Sequence, residues 1–95
     1  MITTIVMISA DPDRIPEVAQ QIADLDGVSE VYSVAGDVDL VAIVRVREFD
    51  EIAEIVAGRL SKVAGVRRTD THVAFRAYSR HDLDAAFAIG SGGPA

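Results

Sequence analysis

The feature that most constrains this chain is that it reads as two copies of one unit. Laid over itself at a shift of 38 residues, "ITTIVMI" (2–8) falls on "LVAIVRV" (40–46), with Ile5-Val6 on Ile43-Val44. Val18 then falls on Val56, Ile22 on Leu60, and Gly27-Val28 on Gly65-Val66. Two copies are too few to stack as a solenoid, so both halves must share one core. A length of 95 residues allows a single domain with a modest core.

Each unit contains an apolar β-type run, a stretch of helical period, a Gly-Val step and a second extended run. Asp11-Pro12-Asp13 signals the first helix, with a carboxylate expected to cap it and Pro16 tolerated in its first turn. Ile15, Val18, Ile22 and Leu25 form its apolar face. The second helix is expected after Asp50, with Ile52, Val56, Leu60 and Val63 inside and Glu51, Glu54 and Arg59 outside. Gly27 and Gly65 are expected to end the helices through a left-handed backbone. The order β-α-β-β-α-β is the α+β, ferredoxin-like arrangement. Right-handed crossovers put both helices on one face of a four-stranded antiparallel sheet whose central strands are the first and third.

Strand alternation assigns the faces. Arg45 cannot lie under helices, so Leu40, Ala42, Val44 and Val46 take the covered side and, by the repeat, so do Thr4, Val6 and Ile8. Thr3, Ile5, Met7, Val41 and Ile43 are left on a face with no helix over it. Such an apolar patch calls for a partner, and a two-fold dimer with sheet facing sheet covers it most simply. Gly36-Asp37 reads as a two-residue type II′ hairpin turn, pairing Ala35 with Val38 and Val34 with Asp39. This register adds Tyr32, Val34 and Asp39 to the open face. A carboxylate there needs a donor or cation: Arg45, a neighbouring subunit or a ligand ammonium group.

Composition narrows the function. Apolar residues make up 49% of the chain but aromatics only 5%, so Val, Ile, Leu and Ala must build the core. The absence of cysteine rules out disulfides and thiolate zinc sites and favours a cytoplasmic location. "MITTIVMISADPD" has neither the basic start of a signal peptide nor the length of a membrane span. A net charge of −6 argues against direct DNA binding, and Arg67, Arg68, Arg76 and Arg80 read as a solvated edge. His72 and His81 have no acidic partners at metal-ligand spacing. The reading is therefore non-enzymatic, with no metal and no cofactor. The competing reading is an oxygenase-like dimeric α+β barrel enzyme with His72 or Tyr32 in an internal pocket.

The stretch "EVYSVAGDVDLVAIVRV", followed by "AGVRRTDTHVAF", resembles the effector-binding domain of the Lrp/AsnC (leucine-responsive, feast/famine) transcription regulators, called the regulation of amino acid metabolism (RAM) domain. Its signatures are V-Y-x-V-x-G-D-x-D and G-V-x-x-T-x-T, and the similarity spans roughly residues 2–78. The resemblance implies a dimeric α/β barrel, dimers joined in a ring, commonly an octamer, and amino-acid effectors bound between dimers. It places Gly36, Asp37, Val38 and Asp39 in the ligand loop, with Asp39 as the candidate for the ammonium group. Ser33 and Phe49 match positions that tune response, as do His72, Val73 and Ala74, while Thr69 and Thr71 match a threonine pair. Val38 stands where an aromatic is frequent, and His72 where an aromatic or apolar residue is usual. The amino-acid-binding ACT domain shares the element order, but its motifs are not those matched.

Family members carry an N-terminal helix-turn-helix, and the sequence starts at the first strand of the effector domain. A stand-alone sensor is therefore expected. Its partners would be itself as a homodimer within a larger ring, a small amino acid, and full-length regulators whose rings it could join, with no direct DNA or membrane contact. A purely structural role in such mixed rings is a further alternative. Residues 1–80 are read as the domain and 81–95 as a tail: a short helix over 82–89 with Leu83, Ala86 and Phe87 inward, then a disordered end.

Overall fold

A computed structural model describes residues 1–80, and its element order is the expected one. Strand β1 (Ile2–Ala10) leads through a 3-10 turn (Pro12–Arg14) into helix α1 (Ile15–Ala23). Strands β2 (Val28–Ser33) and β3 (Leu40–Val46) follow, then helix α2 (Asp50–Val56), a second 3-10 turn (Leu60–Lys62) and β4 (Val66–Val73). The four strands form one antiparallel sheet in the order β2-β3-β1-β4. The reading of 81–95, with His81, falls outside the described residues. Among those described, no helix is long and apolar enough to cross a membrane.

The covered face is the one the alternation assigns. Thr4, Val6 and Ile8 of β1 and Leu40, Ala42 and Val44 of β3 are fully buried, together with Val18, Ile22 and Leu60. Full burial of one such aliphatic side chain stabilises by about 1.5–3 kcal/mol, so these residues dominate the energetics. The Thr4 hydroxyl is buried among them without a hydrogen-bond partner among the described residues. On the other face Ile5, Met7, Val41 and Ile43 are only half-buried, and Tyr32 is 53% exposed.

The duplication is visible in individual hydrogen bonds. Leu25 N–H donates to Ile22 O and Val28 N–H to Leu25 O; the same turn recurs as Val63 to Leu60 and Val66 to Val63. Gly27 (φ +91°) and Gly65 (φ +98°) close these turns in the left-handed region. Each is covered by the helix of the opposite half: a Cβ on Gly65 would lie 2.7 Å from Val18 Cγ2, and one on Gly27 would strike Ile55 Cδ1. The two units thus lock by exchange, each glycine turn seated under the other unit's helix.

Three local expectations are corrected. The Asp11 side chain does not cap α1; its Oδ1 pairs with Arg67 Nε at 2.7 Å instead. The second helix stops at Val56, because Gly58 N–H reaches back five residues to Ala53 O (3.3 Å), and the chain re-forms as the 3-10 turn at Leu60. Ile52, Val56 and Leu60 are nevertheless buried, with Ile55 added. The hairpin keeps the expected register, Ser33 opposite Leu40. Its regular pairing ends there, with one more bond from Val34 N–H to Asp39 O (3.0 Å). The connection is therefore a longer loop, 34–39, with Gly36 at φ +138°.

Gly65→Ala is expected to cost about 1–3 kcal/mol from backbone strain alone, plus the clash with Val18. Gly36→Ala, which has open space around it, should cost only the strain. Urea denaturation measures both. Thr4→Val should leave stability unchanged or raise it by about 1 kcal/mol, because it removes an unsatisfied buried hydroxyl at nearly constant shape.

Candidate functional site

The residues singled out from the sequence divide between the two faces of the sheet. In the β1–β4 ladder, Thr69 lies opposite Ile8, Thr71 opposite Val6 and Val73 opposite Thr4, on the helix-covered side. His72 lies opposite Ile5, on the open side with Asp70 and Arg68. Ser33, opposite Leu40, points to the helix side at the edge of β2. Phe49 follows β3 at the far end of the sheet from the 34–39 loop and is exposed, and Ala74 continues the β4 pairing through its N–H to Thr3 O (2.9 Å).

Two concave regions gather some of them. Phe49 and Thr71 meet in an apolar groove of about 300 Å³ completed by Ile52, Ala53 and Val56 of α2. On the open face a cleft of about 310 Å³ is lined by Asp37 and Val38 of the loop, Met7 and Ser9 of β1, and Arg68 and Asp70 of β4. Asp70 Oδ2 also lies 3.2 Å from His72 Nε2. A third hollow, of about 380 Å³, lies between the Gly27 turn and α2 and holds Arg45, Arg47 and Arg59 among Asp26, Glu51 and Glu54.

Asp39 has its donor within the chain. Its Oδ2 accepts a hydrogen bond from Ala10 N–H at 2.9 Å, its own N–H donates to Ile8 O and its carbonyl accepts from Val34 N–H, both at 3.0 Å. Because Ile8 O points toward β3, so does Ala10 N–H two residues on. The β3 chain has already left for the loop at that level, and the Asp39 carboxylate replaces the missing ladder acceptor. Arg45, one of the candidate partners, pairs with Glu30 at 3.1 Å instead.

Sequence reasoning took Arg68 for part of a solvated edge and passed over Asp70. The β1–β4 register slips by one residue between Ser9/Arg68 and Ala10/Val66, and the inserted residue is Arg67. This bulge sends Arg67 to Asp11 and sets Arg68 beside Ser9 on the open face. Two adjacent arginines that look alike in sequence therefore have different tasks. The alternation of β4 could have put Arg68 on that face, but the bulge has no signature in the composition of the strand. Among the described residues, no group of three His, Asp or Glu side chains is placed to hold a metal ion.

The family model for the Lrp/AsnC ligand-binding domain matches residues 3–83. The chain belongs to the Lrp/AsnC family. An uncharacterised helix-turn-helix transcriptional regulator of Pyrococcus horikoshii is 43% identical over 76 residues, covering 77% of this chain and 51% of the regulator. This Lrp/AsnC chain thus spans about half the length of the curated relatives it matches. A Thermus thermophilus protein of known crystal structure superposes with a TM-score of 0.79 at 44% identity, over 84% of this chain and 100% of its own. The feast or famine regulatory protein of M. tuberculosis, solved in complex with L-methionine, superposes at 0.67 with 27% identity, over 84% of this chain and 54% of its own.

Asp39→Ala is expected to lower stability by roughly 1–3 kcal/mol by leaving Ala10 N–H without an acceptor. Asp37→Ala, whose carboxylate is exposed on the loop, should change it by no more than about 0.5 kcal/mol. Paired chemical denaturation curves test the difference.

Proposed function

We propose that this Lrp/AsnC domain is a non-catalytic, cytoplasmic amino-acid sensor that works as an oligomer. The observation that carries the reading is the family match to a ligand-binding domain over nearly all of the described chain. The L-methionine complex of the M. tuberculosis relative supports an amino acid as the effector. The distribution of the candidate residues supports an assembly. The 34–39 loop and His72 lie on one side of the sheet, Ser33, Phe49, Thr69 and Thr71 on the other, with Val73 and Ala74 at the strand end, so one copy cannot bring all of them onto one ligand.

The half-open apolar face, Thr3, Ile5, Met7, Tyr32, Val41 and Ile43, is the proposed dimer surface. A stable interface of ordinary size covers about 800 Å² on each partner, and two sheets packed face to face would build it without any new element. This closes a dimeric α/β barrel, and further contacts between dimers, of the ring type, would bring the loop of one dimer to a neighbour. By joining rings of full-length regulators through the same surfaces, the domain would pass amino-acid levels to proteins that bind DNA.

Two measurements test this. A thermal-shift screen of the twenty L-amino acids should reveal at least one that raises the melting point progressively with its concentration, since a ligand stabilises the state it binds. If none does, the sensor reading fails. In sedimentation equilibrium the wild type should be dimeric or larger and Ile43→Asp should dissociate, because the substitution puts a charge in the middle of the proposed dimer face; a monomeric wild type would overturn the assembly.

A further inference from the structure

The helix layer stops short of one edge of the sheet. Helix α2 has seven residues, about 10 Å at the helical rise, whereas β4 has eight and is about 26 Å long. On the side that is buried in β1 and β3, β4 therefore leaves Thr71 exposed and Val73 36% exposed. Between α2 and this strand lies the apolar groove of about 300 Å³, with Phe49, 64% exposed, at the end where α2 begins. The small side chains of Ala53 and Ala57 keep its α2 wall open.

The chain carries a segment that fits there. β4 ends at Val73, opposite Thr4, at the same end of the sheet where β3 ends and Phe49 follows. Residues 74–79 then lead to Arg80, the last described residue, which has helical backbone. Ser79-Arg80-His81-Asp82 has the spacing of a capping box, and Gly90-Ser91-Gly92-Gly93-Pro94 supplies a stop. Between these signals Leu83, Ala86, Phe87 and Gly90 fall at i, i+3, i+4 and i+7, one face of a helix. The connection over 74–79 reaches about 20 Å when extended, and Thr71 lies two residues before the end of β4. A helix over 80–89 would be about 15 Å long, against about 12 Å for the groove wall from Phe49 to Ala57.

We propose that the groove between α2 and β4 is the docking site of this chain's own tail, with residues 80–89 forming a third helix along α2. Leu83 packs on Phe49, Phe87 lies over Ala53 and Val56, and Arg80 stands beside Asp50, which also lines the groove. The chain turns back at the Phe49 end, so the third helix runs in the same direction as α2. It completes the layer over the edge strand, covers Thr71 and closes the groove to any other apolar ligand or helix. Docking of the tail requires no effector. The family model ends at residue 83, and the Thermus thermophilus relative is covered over its whole length by 84% of this chain. Most of the apolar stripe therefore lies outside the domain that the family model describes.

The chain has no cysteine, so a pair introduced into the intact protein reports the contact through disulfide formation. Ala53→Cys with Ala86→Cys should cross-link within one chain and run at monomer size on a non-reducing denaturing gel. The control is Glu17→Cys with Ala86→Cys, because α1 packs over the opposite edge strand, β2. The first pair should react roughly tenfold faster than the control, since docking raises the local concentration of one thiol beside the other. Adding Phe87→Asp to the first pair should remove that advantage, whereas adding Asp84→Ala should keep it. A band of dimer size in place of the monomer would put the tail on a neighbouring copy and overturn its assignment to the same chain. Equal rates in the two pairs, or an advantage that survives Phe87→Asp, would overturn the docking itself.

Discussion

Both crossovers of the chain turn the same way, and that constraint governs the rest of the molecule. With α1 and α2 on one face, the aliphatic side chains of β1 and β3 divide into a buried set and a set left half-open. The proposed assembly follows from this division, in which one apolar face is covered and the other is left half-open. The duplicated sequence strengthens the covered half, because each glycine turn accepts the opposite helix so closely that no side chain fits between them. Folding of one unit therefore depends on the other, and the single core is a consequence of the repeat rather than an addition to it.

At the loop end of the sheet the same economy produces the cleft. β1 extends beyond the point where β3 begins, so one N–H of β1 faces β3 with no backbone acceptor opposite. Asp39 meets that N–H with its side chain, and the loop is pinned across β1 as a result. On the other flank of β1, the bulge at Arg67 separates two adjacent arginines into one that pairs with Asp11 and one with no ion pair among the described residues. The end of a strand and a one-residue slip in a ladder thus decide where three charges stand. Ion pairs on this surface are individually weak; their value here lies in which groups they leave free.

Much of this was legible in the chain. Strict alternation along 40–46 identified the covered and open faces, because a charge at Arg45 can occupy only one of them. The shift between the halves located both left-handed glycines, and Gly36-Asp37 marked the register of β2 against β3. The second helix was less legible: Ile52, Val56 and Leu60 keep helical spacing and are all buried, yet the helix ends at Val56 and the remaining turn is 3-10. Periodicity reports which side chains face inward, and a 3-10 turn after a break can present Leu60 to the same core. The capping role expected of Asp11 was missed for a related reason, since a short carboxylate near a helix start can be claimed by a cation from a distant strand.

The sequence by itself determined the element order, the two faces of the sheet, the glycine turns and the resemblance to an amino-acid-responsive family. These follow from local periodicity and backbone sterics, which depend on neighbours in the chain. Only the tertiary structure decided the partner of Asp39, the separation of Arg67 from Arg68, and the division of the candidate residues between opposite faces. Each of these turns on which atom of β1 lies opposite which atom of β3 or β4, and a register across strands is set by packing that no single segment encodes.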